Sequence, residues 1–360
     1  MGQDRVVLIL GAGATLADGS RKPVKSQPPL DRGFFSGALR SHSRGLRDIT
    51  RYMQEHYRMD LRRPANDSLE RVMAALYTDA FGGDLERQAF AALRTLIGVF
   101  LKRLADTTND IAMTPRSLLY RLVVSVLNAG VPPSNLTIVT FNQDIQVEKA
   151  LDAIGSRRRR AGQTVLSFPG CYHLPPGLTV SRPFDPDAPE FRIEDTLGNG
   201  VALLKLHGSL NWYSRHKTPN PSKRTLFDPK RPIFLTSRKS IDPSMRVTVA
   251  KSRIRKFTFP IVIPPVVHKS GILHADLFPV WALAEDRMRT ADRVVIFGYS
   301  CPANDWESAN LISRSLTANR GLKEISLIDP DSGVVLRYVE LGSLSKISYY
   351  KSAAAYLAAE

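Results

Sequence analysis

The feature that most constrains this chain is a series of apolar runs that each end in a polar or glycine-rich cluster. Gly-Ala-Gly-Ala-Thr follows the run at 6–10, Thr-Phe-Asn-Gln-Asp follows 136–139, and His-Gly-Ser-Leu-Asn-Trp follows 201–206. Continuous apolar runs are typical of strands that are buried on both faces of a parallel sheet. In such a sheet, ligands bind at the carboxyl ends of the strands. We therefore predict one nucleotide site where the three clusters meet.

The remaining periodicity predicts further strands and a long helical tract. Strands are expected at 261–263, 294–297 and 324–328. Between the first two strands, apolar residues recur at three- and four-residue spacing, which predicts helices. These helices are expected over 44–58, 68–80, 85–105 and 115–128.

The tract is longer than a simple connection requires. A crossover between parallel strands needs only about a dozen residues, so 36–130 is predicted to be an inserted helical subdomain. The segments 157–200 and 213–260 are rich in Pro, Gly, Lys and Arg and predict irregular basic insertions. The expected fold class is α/β, a Rossmann-like open parallel sheet, in a single domain over 1–360.

Composition excludes several classes of protein. The only cysteines are Cys171 and Cys301, so the chain can build neither a disulfide framework nor a four-cysteine zinc site. No apolar stretch reaches the roughly 20 residues of a membrane span. We expect the chain to enter a strand near residue 6 and not to begin with a signal peptide. We expect a cytoplasmic protein with no membrane partner and no metal.

The formal net charge of +16 is unusual, and the basic residues cluster at 157–160, 217–231 and 251–256. One interpretation is a solvated surface. The other is attraction to a polyanion, either nucleic acid or an acidic protein. No recognised nucleic-acid-binding motif accompanies the charge. The basic surface therefore leaves both interpretations open.

Each cluster also has a structural explanation. Gly11 and Gly13 permit a tight turn and close approach to a pyrophosphate, but the G-x-G-x-x-G fingerprint is incomplete because position 16 is Leu. Asn142 and Asp144 lie two apart, so both side chains can face one side, yet Asp144 also suits the N-cap of a helix at 145–154. His207 equally suits a hydrogen-bonded core histidine. One shared site explains all the clusters together.

In their order along the chain, five motifs resemble the sirtuin fold, and most of all its prokaryotic sirtuin-like branch, found as the effector domain of anti-phage defence systems. The motifs are GAGAT, TFNQD, KLHGSLNW, FGYSCPANDWES and LIDPD, between residues 11 and 331. The resemblance implies a bound NAD and a set of contacts to it. The implied pyrophosphate cradle is Gly11, Ala12, Gly13 and Thr15. Asn142 and Asp144 would flank the nicotinamide ribose and carboxamide, and His207 would address the ribose hydroxyls.

The same resemblance extends the site to other strand ends. Gly298, Ser300 and Asp329 would border the phosphate and adenosine end of NAD. Asp31 and Phe34 are also expected to contact it. They lie in the segment 27–35, which stands where sirtuins carry an arginine-containing segment.

The activity implied is NAD glycohydrolysis, with NAD as the substrate and nicotinamide and ADP-ribose as products. Protein-deacylating sirtuins carry a four-cysteine zinc ribbon, which two cysteines cannot supply, so protein deacylation is disfavoured. Nicotinamide is a good leaving group, and the site must mainly orient the ribose and stabilise an oxocarbenium-like state. Asn142 would position the attacking water, His207 would act as general base, and Asp144 would hold the carboxamide.

Such an enzyme must be silent until it is triggered. The resemblance implies an abortive-infection effector that is activated by homo-oligomerisation or by a partner, and a HerA-type DNA-translocating ATPase suits a short basic chain best. An alternative is a catalytically silent NAD- or ADP-ribose-binding subunit of a DNA-associated defence complex. A nuclease ranks low because no paired-carboxylate metal site stands out.

Overall fold

The computed structural model describes a large part of the chain. The described residues are 3–19, 27–28, 31, 33–41, 43–63, 66, 68–82, 86–109, 111–158, 164–181, 191–192, 198–214, 233–235, 259–263, 277–302, 305–341 and 347–360. The basic clusters at 217–231 and 251–256, and the end of the cluster at 157–160, lie outside them.

The strands in this part of the chain, in order, are β1 (Val6–Leu10), β2 (Leu136–Thr140), β3 (Thr179–Ser181), β4 (Phe191–Arg192), β5 (Ala202–Lys205), β6 (Gly208–Ser214), β7 (Ile233–Leu235), β8 (Phe259–Val262), β9 (Arg293–Phe297), β10 (Glu324–Ile328) and β11 (Ile347–Tyr350). The helices are α1 (Ala12–Gly19), α2 (Phe34–Ser41), α3 (Ser43–Tyr57), α4 (Leu69–Gly82), α5 (Glu86–Asn109), α6 (Leu118–Asn128), α7 (Gln146–Arg158), α8 (Phe278–Arg289), α9 (Trp306–Ala318), α10 (Gly333–Leu341) and α11 (Ala353–Ala359).

Six strands form a parallel sheet in the order β11-β10-β9-β1-β2-β5. Numbered along the chain, this is the order 3-2-1-4-5-6 of a dinucleotide-binding Rossmann sheet. The predicted fold class, a Rossmann-like open parallel α/β sheet, is confirmed. The strand order reverses between β1 and β9, and this switch point is where such sheets bind ligands.

A second sheet has the order β4-β3-β7-β6-β8 and is mainly antiparallel. The run predicted as a strand at 261–263 belongs to this sheet, as part of β8, and not to the parallel one. β8 pairs with β6, which begins only three residues after β5 ends. The chain therefore turns out of the parallel sheet directly at the cluster that contains His207.

Buried apolar residues form two clusters. The larger surrounds the parallel sheet and includes α6, through Leu119, Leu122 and Val123. The smaller is built by helices α2 to α5, and it reaches the turn after β2 through Ile145 and strand β6 through Leu210. Within the predicted helical insertion, α6 therefore covers the sheet, while α2 to α5 pack around a core of their own.

Among the described residues, none of the helices combines the length and apolarity that a membrane span needs.

Candidate active site

The turn after β1 packs against the turn after β9. The Gly11 amide donates to the Phe297 carbonyl at 3.1 Å, and the Gly13 amide donates to the Gly298 carbonyl at 2.9 Å. A Cβ on Gly11 would lie 2.5 Å from the Gly298 oxygen, and a Cβ on Gly13 would lie 2.8 Å from the Gly298 Cα. The glycines are therefore required for close packing at the switch point. Ala12 is exposed beside them.

Thr15 and Asn142 join the first two strand ends. The Asn142 Nδ2 donates to the Gly11 carbonyl at 2.8 Å and to the Thr15 Oγ1 at 3.1 Å. Because the Gly11 oxygen can only accept, the nitrogen of the Asn142 amide must face it. Both N–H bonds are then engaged, so the side-chain carbonyl is the group that Asn142 presents to a further partner.

Asp144 completes this arrangement and also caps a helix. The Thr15 hydroxyl donates to the Asp144 Oδ2 at 2.8 Å, and the Gln146 amide donates to the Oδ1 at 2.9 Å. The structure thus brings Thr15, Asn142 and Asp144 together, and the capping role considered for Asp144 is met as well. The Asp144 carboxylate accepts from the Thr15 hydroxyl, which in turn accepts from the Asn142 amide. These two hydrogen bonds fix the orientation of all three side chains.

His207 lies on the neighbouring strand end. Thr140 and Lys205 are the last paired residues of β2 and β5, so Asn142 and His207 each follow at the second position beyond that pair. The His207 side chain is buried, and its ring centroid lies 5.4 Å from that of Phe141 and 6.2 Å from that of Trp281.

Gly208 makes the sharp turn after His207 possible. Its φ is +75°, and a Cβ there would lie 2.2 Å from the Ile261 carbonyl oxygen. The amide of Ile263, which directly follows β8, donates to the His207 carbonyl at 2.9 Å. Gly208 pairs with Val262 of β8, so the end of β8 also holds the backbone of this turn. The histidine is therefore carried by a backbone that is fixed on both sides.

Gly298, Ser300 and Asp329 occupy the strand ends on the other side of the switch point. The Gly298 amide donates to the Ile328 carbonyl at 3.0 Å, and the Arg337 Nη1 donates to the Ser300 carbonyl at 2.7 Å. Burial raises the pKa of the Asp329 carboxyl above its ordinary value. These positions lie at the same edge of the parallel sheet, the carboxyl ends of its strands, as Thr15, Asn142 and Asp144.

Asp31 and Phe34 are engaged in the helical part of the chain. The Asp31 carboxylate accepts from the Ser68 hydroxyl at 3.0 Å and from the Glu70 amide at 2.8 Å, at the start of α4. Phe34 is buried in the smaller apolar cluster, with its ring centroid 6.2 Å from that of Phe100. Their predicted contact with NAD stays a prediction, and the structure supplies a capping and a packing role.

Replacing Asp31 by alanine separates these roles. If Asp31 acts only as a helix cap, the free energy of unfolding should fall by about 1 kcal/mol and NAD affinity should not change. Asp18→Ala is the matched control, because Asp18 caps α6 through the Leu118 and Leu119 amides. Calorimetric titration with NAD would assign Asp31 to the site if its variant alone lost affinity.

Sequence reasoning missed two groups of residues near these turns. Phe141 and Tyr299 stack with ring centroids 4.2 Å apart, which links the ends of β2 and β9. Lys205 and Glu148 form a fully buried ion pair at 2.9 Å. The only available signal for the pair was a single lysine inside an apolar run.

Within the described ranges, no group of three or more His, Cys, Asp or Glu side chains is placed to hold a metal ion. Cys171 and Cys301 are both buried, free thiols. Burial raises the pKa of the Cys301 thiol to about 12, so the thiolate that would ligate a metal is disfavoured there.

No protein-family model matches this chain, and no curated protein sequence does. Among solved structures it is similar to a Sir2 homologue in complex with ADP-ribose, at 13% identity over 91% of this chain and 80% of that chain, with a TM-score of 0.37. It is also similar to a Sir2 protein bound to a propionylated peptide, at 10% identity over 99% and 91%, with a TM-score of 0.39. The fold class rests on the strand order and not on these distant likenesses.

Proposed function

We propose that this protein is an NAD glycohydrolase that cleaves NAD to nicotinamide and ADP-ribose. The observation that carries the proposal is the convergence of Thr15, Asn142 and Asp144 at the ends of β1 and β2, beside the switch point, with His207 on the adjacent strand end. Polar groups at this position of a Rossmann sheet suit a dinucleotide. The motif resemblance to sirtuins points to the same substrate.

The reaction needs orientation more than a strong acid. The bond between C1′ of the ribose and the pyridinium nitrogen breaks, and its electron pair neutralises the ring, so nicotinamide leaves uncharged. Water then adds to C1′ and gives up one proton, which yields ADP-ribose. An oxocarbenium-like state lies between these steps and is sensitive to the position of nearby dipoles.

The proposed roles follow from the hydrogen-bond directions. The Asn142 carbonyl accepts from the attacking water or a ribose hydroxyl, because its amide protons are engaged elsewhere. His207 takes the proton from the water as general base. Asp144 accepts two hydrogen bonds in the structure, and a carboxylate offers about four acceptor positions, so it retains capacity for the nicotinamide carboxamide.

We further propose that the enzyme acts as an anti-phage effector that is switched on by self-assembly or by a partner, with a HerA-type ATPase as the first candidate. The resemblance to defence proteins and the net charge of +16 support this. The second candidate function is a silent NAD- or ADP-ribose-binding subunit. The many engaged polar groups of the site are compatible with binding alone.

The test is to incubate the purified protein with NAD, alone and with a HerA-type ATPase and DNA, and to measure free nicotinamide and ADP-ribose. Calorimetry on the same samples measures NAD binding. Release of both products supports the glycohydrolase. Binding without release supports the silent subunit, and nicotinamide release that requires an acylated peptide would indicate a deacylase. If the protein neither binds NAD nor releases products, the glycohydrolase, the silent subunit and the deacylase are all contradicted.

A further inference from the structure

A cluster of polar side chains that are excluded from solvent contacts the turn that carries Asn142 and Asp144. Lys205, Glu148, Tyr172, Asn211 and Ser209 all have exposed fractions of 0%. Lysine and glutamate are almost never fully buried unless they are paired. A group of five fully buried polar residues that includes a lysine and a glutamate therefore requires a physical explanation.

Lys205 connects the cluster to the turn after β2. Its ammonium donates to the Glu148 Oε1 at 2.9 Å and also to the backbone carbonyl of Asp144. The Tyr172 hydroxyl donates to the same Glu148 oxygen at 2.9 Å. One carboxylate oxygen is thus shared by a lysine on β5 and a tyrosine from the 3₁₀ turn at 170–172.

The hydrogen bonds continue into β6. The Asn211 Nδ2 donates to the Tyr172 hydroxyl at 2.8 Å, and the Ser209 hydroxyl donates to the Asn211 Oδ1 at 2.6 Å. Because the Glu148 carboxylate oxygen only accepts, the Tyr172 hydroxyl donates to it and accepts from the Asn211 nitrogen. The Asn211 oxygen then accepts from Ser209, so the direction of each hydrogen bond is fixed. The cluster therefore spans β5, α7, the 3₁₀ turn and β6 as one ordered unit.

The cluster encloses the backbone that carries both proposed reactive groups. Lys205 and Ser209 stand two residues before and two residues after His207, and the carbonyl that Lys205 holds belongs to Asp144, two residues after Asn142. The Leu210 amide donates to the Gln143 carbonyl at 2.8 Å. The two turns are thus fastened to each other directly behind the site.

Stability alone explains this cluster poorly. A buried ion pair is often no better for stability than apolar side chains of similar volume, because desolvation offsets the attraction. The second oxygen, Glu148 Oε2, is buried with no hydrogen-bond partner among the described residues, which adds to that cost. Hydrogen bonds are directional, however, and apolar packing could not hold the Asp144 carbonyl at one position.

We propose that Lys205, Glu148 and Tyr172 are positioning residues for NAD cleavage, which set the separation between the turn of Asn142 and the turn of His207. The proposal rests on the proposed function. Misplacement of a reacting group by about 1 Å can cost on the order of 100-fold in rate. Loss of the cluster should therefore lower kcat more than it changes KM.

Tyr172→Phe is the most conservative test, because it keeps the ring that packs 5.1 Å from the Trp212 ring and removes only the hydroxyl. Tyr52→Phe is the matched control, since the Tyr52 hydroxyl donates to a carboxylate, Asp79 Oδ2, at 2.7 Å within the helical part. We expect kcat to fall at least tenfold in Tyr172→Phe, with KM within about twofold of wild type. The control should keep the wild-type kcat.

A paired substitution tests the lysine. In the double variant Lys205→Met with Glu148→Gln, both charges are removed and the volume is kept, so the folded state should survive where a single variant leaves a buried charge unpaired. We expect kcat to stay low although the melting temperature recovers relative to the single variants. If kcat recovers together with stability, the cluster is structural and the proposal is wrong.

Hydrogen exchange provides a readout that does not depend on catalysis. The amides of Leu206 and Leu210 donate to the Thr140 and Gln143 carbonyls across the two turns. Tyr172→Phe should speed their exchange while an amide of β1 stays as protected as in wild type. Unchanged exchange at both amides would overturn the positioning role. Failure of the wild-type protein to cleave NAD would instead reject the proposed function, and the exchange result distinguishes the two outcomes because it does not depend on catalysis.

Discussion

Asn142→Ala and His207→Ala should each lower the rate of NAD cleavage by about 100- to 10,000-fold, the range expected for loss of a positioned acid–base or orienting group. Asn142 contributes its carbonyl, because its amide protons are held by Gly11 and Thr15. His207 contributes the base. Product release measured at saturating NAD gives the loss in kcat, and circular dichroism checks that each variant is folded.

Asn319→Ala is the control for the amide. The Asn319 Nδ2 also donates to two carbonyls, those of Met288 at 2.9 Å and Ala291 at 2.8 Å, but it lies at the end of α9, away from the strand ends that carry the site. Its loss should lower stability and leave kcat unchanged. Full turnover by the double variant Asn142→Ala, His207→Ala would reject the assignment of both residues.

The strands that build the site could be predicted because burial on both faces leaves a continuous apolar run. β1 and β10 begin and end at the predicted residues. β11 was not predicted, since it is an edge strand with partly exposed residues and shows no such run. The strand at 261–263 was predicted without its partner, because an apolar run does not specify the strand with which it pairs.

The site itself was only partly predictable. The motifs identified which turns meet, but not that Thr15 lies between Asn142 and Asp144. Lys205 and Glu148 are separated by 57 residues, so no local spacing indicates their contact. Asp31 was assigned to NAD through the motif resemblance, and that contact stays a prediction. The sequence did not indicate that its carboxylate accepts from the Glu70 amide at the start of α4. Side-chain partners that are distant in sequence require the folded chain.

Gly298→Ala should have a large effect on both stability and NAD affinity. Gly298 has a φ of +63°, and a Cβ there would lie 2.3 Å from the Ala14 nitrogen and 2.4 Å from the Gly13 carbonyl carbon. The left-handed conformation alone costs a non-glycine residue about 1–2 kcal/mol. The clash adds to this, because both contacted atoms belong to backbone and cannot move aside without displacing the turn after β1.

Gly130→Ala separates these two contributions. Gly130 has a φ of +88°, yet a Cβ there would meet nothing within 4 Å, so its variant reports conformational strain without a clash. We expect Gly298→Ala to be less stable than Gly130→Ala in chemical denaturation, and to bind NAD at least about tenfold more weakly, equivalent to 1.4 kcal/mol. Equal losses of stability and unchanged NAD affinity in the two variants would mean that the packing of the two turns does not shape the nucleotide site.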